Sequence, residues 1–213
     1  MNWERARNDE QKEQRISEIV QATARLYEKY QFEEITFALI AKEANFTRSN
    51  LYKYFNTKEE VFLELIKHDL SIWKNELIKT FQKKEYSTEE FANIWVDTQT
   101  KQVRLLSLFA ILFTSIEKKS SLESLVSFKK KIQEEFGGLV KLLLELFPSV
   151  SLDDGTEFSF SLFALSIGIY PMLNLTENQK KAMELTGMNS DYQYYKNIYI
   201  KSIESLLQPL IKV

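Results

Sequence analysis

Between Thr36 and Phe62 the chain reads TFALIAKEANFTRSNLYKYFNTKEEVF, and this stretch narrows the possible folds more than any other. Thr36 is suited to cap a short helix, Phe37 to Glu43, whose apolar side is Ile40 and Ala41. Ala44, Asn45 and Phe46 make the turn, with Asn45 where a residue tolerant of positive φ is wanted. Thr47 caps a second short helix, Arg48 to Tyr54, fixed to the core by Leu51 and Phe55. Arg48, Ser49, Asn50, Lys53 and Tyr54 then face outward. A short helix pinned along one apolar edge, with Arg, Asn, Lys and Tyr on the other, suits the major groove of DNA. The same residues, taken alone, also suit an ordinary solvated helix face.

Local charge favours the first reading. No acidic residue lies between Glu43 and Glu59, while Arg48, Lys53 and Lys58 fall in that window, for a local charge of +3. Neutralising phosphates requires such a patch and not a basic chain. Thr57-x-x-Glu60 forms a capping-box pattern, so Lys58 sits in the first turn of the next helix. Its amine and the helix N-terminus are expected to point at one phosphate. Thr36 and Thr47, as cap residues, and Tyr52 complete the candidate DNA contacts.

The pattern Ile40-Ala41 … Phe46-Thr47-x-x-x-Leu51-Tyr52-x-Tyr54-Phe55-x-x-Lys58-Glu59 resembles the DNA-binding domain of the TetR family of bacterial repressors. The resemblance covers about Arg15 to Leu65. Upstream, Ile16, Ile19, Val20, Thr23, Leu26 and Tyr27 form a helical stripe like that of the family's first helix. Phe32-Glu33-Glu34-Ile35-Thr36 looks like its approach to the second helix. Gln31 and Ser49 depart from the glycines common at those places. The resemblance implies backbone contacts for Tyr52 and Tyr54, operator DNA as partner, and a homodimer built from the last two long helices.

The chain has 213 residues, enough for a small DNA-binding domain and a larger second one. We expect an N-terminal helix-turn-helix domain over 1–57 and a helical effector-binding and dimerisation domain over 58–213. Phenylalanine (15), tyrosine (10) and tryptophan (3) supply core material, while 5 glycines and 3 prolines argue against an all-β chain. No segment alternates polar and apolar at period two, so the fold is read as all-α. Cysteine is absent, which removes thiol metal sites and disulfides and suits a cytoplasmic location. The charged start, MNWERARNDEQKEQR, is not that of a signal peptide. The most apolar windows are interrupted by Ser, Thr, Gly, Pro or Asn, so no membrane span is expected. Net charge is −2, so composition by itself does not indicate nucleic acid.

Periodicity and caps give the remaining elements. Residues 1–12 read as a polar extension and Glu13 to Tyr30 as the first helix. Lys58 to about Lys84 reads as one long amphipathic helix that enters both domains without a linker. Capping boxes at Ser87, Ser120, Thr176 and Ser190 mark further starts. Thr88 to Glu117 is expected to break near Thr98 to Gln102. Ser121 to Phe147 follows, then a turn over Ser149 to Gly155, then Thr156 to Leu173, and finally Asp191 to Leu207. Thr156 to Leu173 is apolar on two sides and must be buried on both, one against the core and one against a second subunit.

Trp95, Gln99, Phe109, Phe113, Phe163 and Tyr170 either line an effector pocket or fill the core. Leu162, Leu165, Ile169, Tyr195, Tyr199 and Leu206 are the expected dimer contacts. The lone His68 has no second His or Cys to complete a transition-metal site, so no metal or cofactor is expected. Lys129-Lys130-Lys131 reads as a solvated face balanced by Glu134 and Glu135.

Together these point to a homodimeric, sequence-specific transcriptional regulator, a repressor modulated by an unidentified small apolar effector. The rivals are a helical adaptor, or a helical enzyme with an incidental helix-turn-helix. The enzyme reading finds no nucleophile–base set, phosphate-cradling glycine loop or metal set in the sequence.

Overall fold

The computed structural model describes residues 3–82 and 85–211. Ten α-helices are formed among the described residues: α1 (Trp3–Tyr27), α2 (Phe37–Glu43), α3 (Arg48–Leu51), α4 (Lys58–Thr80), α5 (Thr88–Thr100), α6 (Val103–Ile111), α7 (Leu122–Leu146), α8 (Leu152–Leu173), α9 (Glu177–Leu185) and α10 (Tyr192–Leu207). No strand occurs among them. Between α6 and α7 the backbone loosens into a π turn, Leu112–Ile116, and tightens into a 3-10 turn, Glu117–Lys119.

Local chemistry sets most boundaries. Ser87 and Thr176 form complete capping boxes with Glu90 and Gln179, as their spacing predicts. The break between α5 and α6 falls at Lys101 and Gln102, inside the polar interruption. Elsewhere a neighbouring residue competes better for the cap. Ser121, not Ser120, caps α7 through the Ser124 amide at 3.3 Å, because the Ser120 hydroxyl donates to the Ile116 carbonyl. Asp191, not Ser190, caps α10 through the Tyr194 amide at 2.9 Å. Helix α1 begins at Trp3, so the polar N-terminal segment from there on is helical rather than an extension. Helix α4 ends at Thr80; Lys84, its expected end, lies outside the described residues.

The expected turn over Ser149 to Gly155 is half helix. Ser151 caps α8 by accepting from the Asp154 amide at 3.1 Å. Gly155 is a point of close approach and not a turn residue: a Cβ there would lie 3.3 Å from Leu144 Cδ2 and 3.5 Å from Leu143 Cδ2. Helix α8 is also, by length and composition, apolar enough to cross a membrane, which its scattered Ser and Gly residues had argued against. Its buried Ser159 and Ser166 bond to the Gly155 and Leu162 carbonyls one turn back.

By contacts the chain divides into two interleaved compact units, unlike the chain-order division at residues 57 and 58. The first is Met1–His68 with Leu112–Lys130; the second is Asp69–Ile111 with Lys131–Val213. In the first, Ile19, Leu26, Ile35, Ile40, Leu51 and Phe62 form a buried core. In the second, Trp73, Phe91, Phe109, Phe158, Tyr199 and Ile203 do so.

Candidate nucleic-acid interface and polar core

In the first unit the helix-turn-helix geometry follows from its caps. The Thr36 hydroxyl accepts from the Leu39 amide, and the Thr47 hydroxyl from the Asn50 amide, each at 3.1 Å. Asn45 sits at φ 58, the only non-glycine residue with positive φ among the described residues. Helix α3 is one turn long. Its expected extension to Tyr54 is a tighter turn closed by Lys53 and Tyr54 amides on the Asn50 and Leu51 carbonyls. Leu51 and Phe55 are buried, as their spacing requires.

Thr36, Thr47, Arg48, Ser49, Asn50, Tyr52 and Lys53 are exposed, and Tyr54 is half-buried with its ring edge-on to Phe46. Tyr52 does more than add a hydroxyl. Its ring leans on Phe37, and its oxygen takes a 3.4 Å bond from the Arg48 guanidinium, which also lies over the ring. Tyr52 thus orients Arg48, a role the i, i+4 spacing could have signalled.

Nearby acids are withdrawn from this face. Glu59 and Glu60 are buried. Glu43 accepts from Arg25 at 2.8 Å, a bond that holds its carboxyl below the usual carboxylate range. Anions approaching the exposed Arg48 and Lys53 therefore meet little opposing charge.

The structure corrects the expectation for Lys58. Its ammonium donates to the Phe32 and Ile35 carbonyls at 2.6 and 2.7 Å and stands 4.2 Å from the Phe32 ring centroid. Burial lowers its pKa from the usual lysine value. Two of its three N–H groups are thus committed to the segment before α2, because that segment leaves carbonyls unpaired beside the start of α4. The Thr57 box is also only half closed: Thr57 accepts from the Glu60 amide, but the Glu60 carboxylate reaches the Asn56 and Ser121 amides instead. Burial would raise the Glu60 carboxyl, yet hydrogen bonds from Ser121 and Asn56 outweigh it and hold it low.

In the second unit one residue from each of three helices meets in an uncharged knot. Gln99 of α5 donates to the Ser166 hydroxyl of α8 at 2.9 Å, and the Tyr199 phenol of α10 donates to the Gln99 carbonyl oxygen. Ser166 and Tyr199 are 3.1 Å apart. All three are almost fully buried, and burial pushes the Tyr199 phenol up to about 12. Trp95, 5% exposed, stands edge-on to Trp73. Its indole nitrogen makes no hydrogen bond of ordinary geometry, although the ring bears on the Tyr199 phenol.

Of the candidate pocket residues, Trp95, Gln99, Phe109, Phe163 and Tyr170 belong to this unit. Phe109 and Phe163 are edge-on at 5.1 Å. Phe113 does not join them. It belongs to the first unit, 44% exposed, under the Lys129 ammonium. Lys129 is in turn paired with Glu117, a partner the sequence reading missed. Ser166 and Tyr199 were also missed as members of the polar knot.

The expected dimer contacts need a larger correction. Leu162, Ile169, Tyr195 and Tyr199 are buried within this chain's own core. Leu165 is half-buried and Leu206 exposed. Helical spacing defines two stripes on α8 without saying which faces inward; the polar partners of Ser166 fix the choice. The outward stripe is Phe160, Ala164, Gly168 and Met172, with Phe160 63% exposed.

Comparison with known proteins agrees with this geometry. Residues 19–65 match the family described as "Bacterial regulatory proteins, tetR family", and residues 67–194 match "Tetracyclin repressor-like, C-terminal domain". No curated protein sequence matches the chain. Among solved structures, the multidrug binding protein EbrR complexed with imidazole is similar at a TM-score of 0.55 and 14% identity, covering 93% of this chain and 96% of that one. The fatty acid degradation regulator FadR from Bacillus halodurans is similar at 0.54 and 18%, covering 91% and 94%. A TetR-family regulator from Mesorhizobium loti MAFF303099 is similar at 0.55 and 14%, covering 93% and 97%. With its helix-turn-helix face and both parts of the family pattern in place, this chain belongs to the TetR family of bacterial DNA-binding transcriptional regulators.

Proposed function

We propose that the protein is a homodimeric, cytoplasmic repressor whose operator binding is set by a small neutral effector. The observation that carries the DNA reading is the exposed face of α3 and its turn, with Arg48, Ser49, Asn50, Tyr52 and Lys53 free of acidic neighbours. Arg48, braced by Tyr52, reads a guanine edge; Ser49 and Asn50 meet neighbouring base edges. Thr36, Thr47, Lys53 and Tyr54 bond to phosphates. Lys58 contributes through its field and by bracing the start of α4, more than by a direct phosphate bond.

The effector site is centred on Trp95, Gln99, Phe109, Phe163 and Tyr170, with Ser166 and Tyr199 added. A buried N–H without a partner costs about 1–3 kcal/mol. A ligand offering Trp95 a neutral oxygen acceptor recovers that loss. The knot holds no ionised side chain to pair a charged ligand. The names of the similar multidrug-binding and fatty-acid-degradation regulators support a small-molecule response. Such a ligand shifts operator affinity only by the difference in its affinity for two states of the dimer. Catalysis has no part in this reading.

The subunits join through the outward stripe of α8 and the exposed Tyr194, Ile198 and Leu206 of α10, with Leu165 at its margin. Only 28% of the most apolar stretch of α8 is buried within the chain, which leaves a face for a second subunit. Selecting duplexes from a random pool and titrating the winner against salt tests the reading. A palindromic site whose affinity falls steeply with salt is expected. Failure to enrich any sequence overturns it.

A further inference from the structure

We propose that α9 is a docking arm that seats on a second copy of this chain. Helix α9 and the residues after it are shaped as if for a partner. The helix has nine residues, none of them buried. Isolated helices shorter than about 12–15 residues are marginal in water. Yet this one is closed at both ends. Thr176 and Gln179 cap its start reciprocally. Its end is closed by Gly187 at φ +73, with the Met188 amide on the Met183 carbonyl at 2.8 Å. Leu185 is 80% exposed and Met188 60%. Caps at both ends of a helix that covers nothing in its own chain hold those two apolar side chains in a fixed presentation.

The chemistry of the arm selects the occupant. Glu177 and Glu184 balance Lys180 and Lys181, and Glu177 pairs with Lys180 at 3.0 Å. The arm therefore has no net charge with which to attract nucleic acid or an acidic partner. Its contribution is apolar. It also joins α8 to α10 directly, and the exposed apolar residues run on along the chain: Phe160 and Met172, then Leu185 and Met188, then Tyr194 and Ile198. This inference rests on the reading that α8 and α10 form the subunit interface, and it extends that interface. In a twofold dimer each arm contact occurs twice, so a small apolar contact has a doubled effect.

The test compares the full-length wild type with Leu185→Glu/Met188→Glu and with Ala164→Glu, which strikes the exposed stripe of α8. Dimer dissociation is measured by sedimentation across a dilution series, and amide exchange is followed over residues 180–187. The arm variant is expected to raise the dimer dissociation constant at least about tenfold with unchanged helicity, since both residues are exposed. Amides of α9 should exchange slowly in the wild-type dimer and fast in monomeric Ala164→Glu. An arm variant that dimerises as tightly as wild type overturns the proposal while leaving the α8–α10 interface standing. Equal protection of α9 in dimer and monomer also overturns it. A wild type that is monomeric throughout the micromolar range removes the interface and the arm together.

Discussion

The recognition face and the Gln99–Ser166–Tyr199 knot use polar side chains in opposite ways. On the recognition face, Ser49, Asn50 and Lys53 are exposed at positions where a ligand can reach them. In the knot, every polar side chain is buried and spent on another. Exposed polar groups lose little when changed, because water replaces the partner. Buried ones lose their partner and keep the desolvation penalty. Function on the first surface therefore separates from stability, while in the second the two are bound together.

The contrast breaks most visibly at Gln99. Gln99→Leu leaves the Tyr199 and Ser166 hydroxyls with one fewer partner in an apolar setting, and should destabilise the protein by about 3 kcal/mol in denaturant unfolding. A loss under about 0.5 kcal/mol would mean that the knot is not a structural tie.

Acid should discriminate next. Glu135 is buried; burial would raise its carboxyl, but bonds from Lys131, Lys74 and Ser71 hold it at about 2, against an ordinary 4.5. Its folded pKa is depressed, so its stabilisation is complete above the unfolded value and is lost as pH falls from about 4.5 toward 2. Glu135→Gln should flatten the stability–pH curve across that window, and an unchanged slope would contradict the assignment.

On the open face, Arg48→Ala should weaken operator binding by about 1–3 kcal/mol and relax preference at one or two base positions. Its unfolding free energy should stay within about 0.5 kcal/mol of wild type. Tyr52→Phe removes only the hydroxyl that holds Arg48, and a smaller loss of the same kind is expected.

Lys58 lies between the two regimes. Lys58→Met leaves two carbonyls without their donor and should reduce stability by about 1–2 kcal/mol. The salt dependence of operator binding should change little. A salt slope reduced by about one, with stability intact, would return Lys58 to the phosphate backbone. The smallest change is Asn45→Ala, where φ 58 disfavours a side chain that cannot bond locally; about 1 kcal/mol is expected, and Asn45→Gly should be close to neutral.

The elements that could be read from the chain alone share one property: their cause lies within four residues. Thr36, Thr47, Ser87 and Thr176 cap helices as their spacing predicts, and Asn45 takes the left-handed turn. Exposure of Arg48, Asn50 and Lys53 followed from Leu51 and Phe55 being buried. The helix-turn-helix and the all-α class were legible for that reason.

Tertiary structure decided what local spacing leaves free. A period of 3.6 fixes the angle between two stripes on a helix but not which one turns inward. Leu162 and Ile169 therefore read equally well as interface or core until Ser166 met Gln99 and Tyr199 across three helices. Lys58 looked available for phosphate because the carbonyls of Phe32 and Ile35, 26 and 23 residues away, are brought to it only by folding. Gly155 looked like a turn until the side chains of Leu143 and Leu144 closed on it. In each case a long-range neighbour, absent from any local window, supplied the deciding contact.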